Sequence, residues 1–245
     1  MLEQANDKRN LVLKVGITPE SDCSYLPDKQ EQLLVLMDAT MRTAPDYEQL
    51  LALGFRRSGD DLYRPHCASC HACQSVRVDC STFKPSKSQK RLLNKNKDLS
   101  CRVSRTIQPH YYALYEKYIN LRHADGSMFP ATEKQYQHFV ICHWLAPCFI
   151  EIYHEQTLIA VAVTDDLPHS CSAMYTFYDP DYETRSLGSY AILQQILFAQ
   201  SQQKRWLYLG FQVDDCRKMN YKTRFKPYER LIKGEWHNFA NKVAP

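Results

Sequence analysis

Apolar and polar positions change rhythm partway along the chain. Over roughly the first hundred residues, short apolar runs are punctuated by Pro and Gly, which predicts short strands and loops. Within that stretch, "DYEQLLALG" predicts a helix from Tyr47 to Leu53, ended by Gly54 as its C-terminal cap. A hairpin should then turn at "SGDD", and "VRVDCSTFKPS" reads as a strand closed by Pro85. "SKSQKRLLNKNKDL" predicts a helix capped by Ser86 or Ser88, with Leu92, Leu93 and Leu99 as a thin apolar stripe under a basic face.

From "IQPHYYALYEKYINLRH" onward the pattern becomes a long helix, a loop, a second helix and then strands. "CFIEIYHEQTLIAVAVTDDL" and "SCSAMYTFYDP" hold three β-type runs, the first two joined by a tight turn at "HEQT". "SLGSYAILQQILFAQSQQ" predicts an amphipathic helix with Leu187, Tyr190, Ala191, Ile196 and Leu197 on one side and Gln194, Gln195 and Gln202 on the other. "RWLYLGFQV" follows as a strand. Antiparallel strands, a helix and another strand are the order of an acyl-CoA N-acyltransferase core. The expected fold is therefore α+β: a smaller N-terminal Cys-bearing α/β domain over 1–105 and a GNAT-like acyltransferase domain over 106–245. With 245 residues and 44% hydrophobic content the chain can bury one large core or two modest ones. The N-terminus is charged and no run approaches a membrane span, so a soluble, cytoplasmic protein with no membrane partner is expected.

Charge adds a local feature to this picture. The net charge is +4, but between Lys84 and Arg105 eight Lys and Arg face Asp98 alone, leaving the rest of the chain at about −3. Phe83 and several Ser, Asn and Gln donors lie beside this run. A polyanion such as nucleic acid is the partner such a segment fits, since phosphate contacts by Lys and Arg supply most non-specific affinity.

Ten cysteines in a chain expected in a reducing compartment point to thiols or metal ligands rather than disulfides. Cys80, Cys101, Cys142, Cys148, Cys171 and Cys216 sit singly and read as small buried hydrophobes. Cys67-x2-Cys70-x2-Cys73 is different, because each two-residue gap lets neighbouring sulfurs converge on one ion. Cys23, His66 or His71 could complete a zinc site or an iron-sulfur cluster, although no second CxxC pair is present. One more pattern bears on chemistry. Acetyl-CoA enzymes hold a pyrophosphate on a Gly-rich turn at a helix N-terminus. Here "RSLGSY" supplies Arg185 and Gly188 but places Tyr190 where a small residue is needed, which argues against CoA unless Tyr190 faces the core.

Taken together, "CSYLP", "GFRRSGDDLYRPHCASCHACQSVRV", "FKPSKSQKRLLNKN", "MYTFYDPDYETRSLGSYAILQQI" and "YLGFQVDDCRKMNYKTRFKPYE" resemble the aminoacyl-tRNA-protein transferases of the N-end rule. The likeness runs from about Cys23 to Glu229. Its short length and C-x2-C-x2-C form are similar to the bacterial aspartate/glutamate leucyltransferase branch. The resemblance implies transfer of leucine from Leu-tRNA to the N-terminal amine of proteins beginning with Asp or Glu, marking them for degradation. It also implies a metal or iron-sulfur centre, here on Cys23, Cys67, Cys70 and Cys73. The family's first pair is reduced in this chain to Cys23, with Tyr25-Leu26 following.

Aminolysis of an activated ester asks for little base strength, because an α-amine of pKa about 8 is already partly neutral near pH 7. Holding amine and ester in attack geometry, with a donor near the carbonyl oxygen, removes most of the barrier. An acidic first residue needs a cationic clamp. Arg77, His123 and Lys222 are the candidates for that pocket. Tyr178, Asp179, Asp181 and Ser186 are candidates to orient the terminal adenosine and the amine, and Lys87, Lys90, Arg91 and Lys95 are assigned to the tRNA backbone. Arginyl transfer is the near alternative: an aliphatic donor pocket would favour Leu and an acidic one Arg. A CoA-dependent N-acetyltransferase and a non-catalytic metal and RNA-binding module are the readings of other classes.

Overall fold

The computed structural model describes residues 12–126 and 128–240; the charged stretch before residue 12, where no leader sequence was expected, lies outside them. The first part of the chain builds a four-stranded antiparallel sheet from β1 (Val15–Ile17), β4 (Leu33–Leu36), β5 (Arg56–Ser58) and β6 (Asp61–Pro65), in the order β1-β4-β6-β5. The short hairpin β2 (Ser21–Asp22) and β3 (Gln30–Glu31) stands beside it. Helix α1 (Ala44–Ala52) begins before the expected Tyr47, because Thr43 caps it by accepting from the Asp46 N–H and Pro45 presets its first turn. Its end is as expected: Leu53 is the C-cap and Gly54 takes φ +87°, a conformation only glycine adopts cheaply.

The larger sheet has eight strands in the order β14-β13-β7-β12-β11-β10-β9-β8. These are β7 (Gln74–Asp79), β8 (Leu99–Ser104), β9 (Phe149–His154), β10 (Thr157–Asp166), β11 (Ser170–Tyr178), β12 (Trp206–Gln212), β13 (Tyr228–Ile232) and β14 (Glu235–Phe239). Two of them, β7 and β8, come from before residue 105, so the sheet crosses the domain boundary drawn from the sequence. Leu99 opens β8 instead of extending the stripe of the basic helix, which ends at Lys95.

Helices cover both faces. Helix α2 (Lys87–Lys95) and helix α5 (Leu187–Ser201) lie on one, packed through Leu92, Leu93, Ile192 and Ile196 onto Val76, Val78, Leu207 and Leu209. Helices α3 (Tyr111–Arg122) and α4 (Glu133–Val140) lie on the other, where Tyr115, Ile119 and Val140 meet Val161, Val163 and Phe177. Helix α1 joins that second face through Tyr47 and Leu51, which share a core with Tyr208 and Leu167. Strand β10 is buried on both sides, which is why it reads as an unbroken apolar run.

Helix α5 departs from the expected amphipathic division. Gln195 is fully buried and donates to Thr164 Oγ1 at 2.9 Å, whereas Leu197 is 44% exposed. Sandwiched between the sheet and α2, the helix is apolar almost all round, so its polar residues do not mark its outer face. Of the six isolated cysteines, Cys80, Cys148 and Cys171 are buried as expected, Cys142 and Cys216 are half-buried, and Cys101 is exposed. Phe83 is a core residue and so cannot serve the basic run as a stacking surface.

A buried ion-pair network locks the smaller sheet onto the larger. Asp165, fully buried, accepts from Arg57 Nε at 2.7 Å, from Tyr47 Oη at 3.1 Å and from Ser172 Oγ at 2.9 Å. Removing one partner of such a pair leaves a buried charge and costs about 3–5 kcal/mol. Within the larger sheet, Arg77, on β7, lies between the indoles of Trp206 and Trp236, 3.9 and 4.1 Å from their centroids, and pairs with Glu229 at 2.6 Å.

Candidate active site

Strands β11 and β12 run parallel but pair only through Ser170–Trp206, Cys171–Leu207 and Ser172–Tyr208. Beyond Ser172 they part, leaving a gap between them. Arg56 lies at its vertex: Nη1 donates to Ser172 Oγ at 3.0 Å and Nη2 to the Ala173 carbonyl at 2.6 Å. Gly210, at φ +83°, lies against the guanidinium, and a Cβ built there would sit 3.7 Å from Arg56 Nε. Lys222 belongs to the 3-10 turn Asn220–Arg224, which packs on β12. It is only 5% exposed, and its Nζ donates to the Met219 carbonyl at 3.3 Å. Burial, reinforced by the Arg56 charge, pushes the Lys222 amine down to about 7.

A cavity of about 1040 Å³ opens between the smaller sheet and this gap. Leu33, Val35, Met128, Phe139, Phe211 and Leu231 give it an apolar wall. Of its two carboxylates, Asp61 pairs with Arg42 at 3.1 Å and Glu31 accepts from Ser24. Another wall carries Cys23, Cys67, Cys70 and Cys73, all half-buried. Burial pushes the Cys73 thiol up to about 12, and Cys23, Cys67 and Cys70 push the same way, so these three lie within electrostatic reach of Cys73. Even so, among the described residues no three His, Cys, Asp or Glu side chains are arranged to hold a metal ion. As placed, these thiols do not fit a zinc ion or an iron-sulfur cluster.

A second group of residues meets where β11 ends. The Tyr118 ring lies 4.9 Å from that of His123 and 4.8 Å from that of Tyr178. His123, at the C-terminus of α3, is held below the usual imidazole range by burial and by Lys218. Asp179 and Asp181 both pair with Lys117 at 2.6 Å. Ser186 sits in the left-handed region at φ 52° where the 3-10 turn Pro180–Arg185 hands over to α5. Tyr190 points away from this turn into the core, its hydroxyl 3.8 Å from Cys101 Sγ. It therefore bars nothing at the turn.

Two family models match the chain: "Arginine-tRNA-protein transferase, N terminus" over residues 21–91 and "Arginine-tRNA-protein transferase, C terminus" over residues 110–232. The chain belongs to the arginine-tRNA-protein transferase family. It is 53% identical to an aspartate/glutamate leucyltransferase of Aeromonas hydrophila, over 95% of this chain and 98% of the relative. A protein of the same name from Pseudoalteromonas atlantica is 50% identical, over 94% and 99%. Among solved structures, a conserved protein of unknown function from Bacteroides thetaiotaomicron gives a TM-score of 0.47 at 15% identity, over 80% of this chain and 65% of that one. That likeness is too slight to build on.

In this transferase the residues singled out from sequence fall into separate places. Lys222 is buried on the turn that packs on β12, Arg77 is paired with Glu229 and two indoles, and neither lines the cavity. His123, Tyr178, Asp179, Asp181 and Ser186 form the second group, where the two carboxylates are neutralised by Lys117. Lys87, Lys90, Arg91 and Lys95 are exposed along the outer side of α2. The inner side of that helix is fixed to both turns that flank the site: Gln89 donates to the Arg224 carbonyl at 3.1 Å, and Asn96 to the Arg185 carbonyl at 3.0 Å. Sequence reasoning missed Arg56. The signal was the adjacent pair Arg56-Arg57 following Phe55, since neighbours on a strand point to opposite faces and a cation turned inward needs a partner.

Proposed function

We propose that this chain transfers leucine from Leu-tRNA to the N-terminal amine of proteins beginning with Asp or Glu, marking them for N-end rule degradation. The amine nitrogen forms the new C–N bond to the leucyl carbonyl. The ester C–O bond to the terminal ribose breaks, and the departing hydroxyl takes the proton the amine releases. A GNAT-like frame suits this reaction, because a parallel strand pair that parts midway gives an amine and an acyl group one place to meet. Holding them there supplies most of the acceleration.

What supports the reading is an apolar cavity with a buried lysine, Lys222, within electrostatic reach of Cys73 on its wall. The cavity wall suits an aliphatic donor side chain, since its lining is mainly apolar and one of its two carboxylates, Asp61, is already paired with Arg42. Lys222 suits the carboxylate of an acidic first residue. Lys87, Lys90, Arg91 and Lys95 face outward to receive the tRNA backbone. Purified protein is mixed with tRNA carrying leucine or arginine and with peptides beginning with Asp, Glu, Lys or Ala, and products are read by mass. Leucine on the Asp and Glu peptides alone is expected. Arginine on the same peptides would keep the mechanism and change the donor, and no product from any pair would overturn the reading.

A further inference from the structure

Two adjacent arginines on β5 are equally buried and differently treated. Arg57, 6% exposed, is compensated by Asp165, whereas Arg56, 7% exposed, bonds only to a serine hydroxyl and a backbone carbonyl. Arginine cannot shed its charge at any ordinary pH, so Arg56 is a permanent buried cation held by neutral acceptors. Lys222 is the second buried cation of this site, and its own bonds also go to neutral atoms, the Met219 carbonyl and sulfur. Among the described residues neither forms an ion pair. Each charge disfavours the other, and burying both is costly unless an anion arrives from outside.

We propose that Arg56 and Lys222 together form the receptor for the side-chain carboxylate of the acceptor's first residue. Lys222 makes the contact, and Arg56 is a positioning residue that supplies fixed positive charge behind it. This rests on the acceptor reading given above. It also accounts for one site serving both Asp and Glu: the four-carbon lysine stem can follow a carboxylate displaced by one methylene, while the guanidinium stays pinned between Ser172 and Ala173. Rim charges would steer an acidic peptide without distinguishing its first residue. A cation pair at the vertex of the strand gap reads that residue alone.

The test measures kcat and KM for leucyl transfer to two peptides that differ only in Asp or Asn at the first position. Wild type, Arg56→Gln, Arg56→Lys and Lys222→Gln are compared, with Leu-tRNA binding measured in parallel. In Arg56→Gln the Asp-over-Asn preference should fall roughly 30-fold or more, chiefly through KM, with Leu-tRNA binding unchanged. Arg56→Lys should keep most of the preference. A folded Arg56→Gln protein with the full wild-type preference would overturn the proposal. Should that variant not fold, the wild-type protein decides: the Asp peptide should raise its Tm and the Asn peptide should not, and equal shifts would overturn it. Wild type that makes no leucyl product with any peptide defeats the acceptor reading instead, and the same Tm comparison still judges the carboxylate receptor.

Discussion

Lys222 loses its hydration on folding and gains no carboxylate, so its charged form is destabilised in the native protein. Its amine falls from an ordinary value of 10.5 to about 7. Between these values the unfolded chain binds the proton and the folded one does not, so this residue makes stability rise with pH across that window. Below pH 7 the penalty is present in full. Lys222→Met should therefore stabilise the protein by on the order of a few kcal/mol near pH 6, with the gain shrinking toward pH 10. Denaturant melts of both proteins at pH 6, 8 and 9.5 check this, and the same variant should lose its preference for acidic acceptors. The sequence singles out Lys222 within "KMNYKTRF", but only the fold shows that it is buried. The adjacent pair Arg56-Arg57 signals an inward cation, but a three-residue strand is too short for alternation to show which of the two finds an acid. The partners of Arg77, Trp206, Glu229 and Trp236, are far away in sequence, so only the fold shows that its charge is already paired.

Among the elements, α2 was the most legible. Ser86 and Gln89 form a reciprocal capping box, and its leucines face the core as their spacing required. What sequence could not give was its inner polar contacts, because the carbonyls of Arg185 and Arg224 are exposed to Asn96 and Gln89 only by tertiary packing. Replacing Lys87, Lys90, Arg91 and Lys95 together by Gln should raise the KM for Leu-tRNA and flatten its salt dependence, the log–log slope falling by about 2–3. Lys95 should contribute least, since its Nζ already donates to the Thr184 carbonyl at 2.7 Å. Transfer assays from 50 to 300 mM salt read this directly, and an unchanged slope would make α2 an ordinary solvated helix. Helix α5 was misread in part because a helix covered on both sides loses the polar-apolar division that periodicity detects.

For the whole molecule, the order of helices and strands after residue 106 could be followed from hydrophobic rhythm, but the membership of the sheet could not. Strand pairing depends on contacts distant in sequence, and β7 is paired with β12 on one side and β13 on the other. A fragment of residues 106–245 lacks that central strand as well as β8. It should show no cooperative thermal transition by circular dichroism, whereas the full chain should melt in one. A single sharp melt of the fragment would show that the later part of the chain folds alone.

The central place of β7 also limits how this chain can be recombined. A chimera joined near residue 105, with its first part from one family member and the rest from another, would exchange a strand in the middle of the sheet along with the cysteine wall. Such a hybrid must match two backbones hydrogen bond by hydrogen bond before any new substrate choice can be expressed. Donor preference should be transplanted more readily through individual positions on the cavity wall, such as Met128, Phe139 and Phe211, than by crossing over between halves.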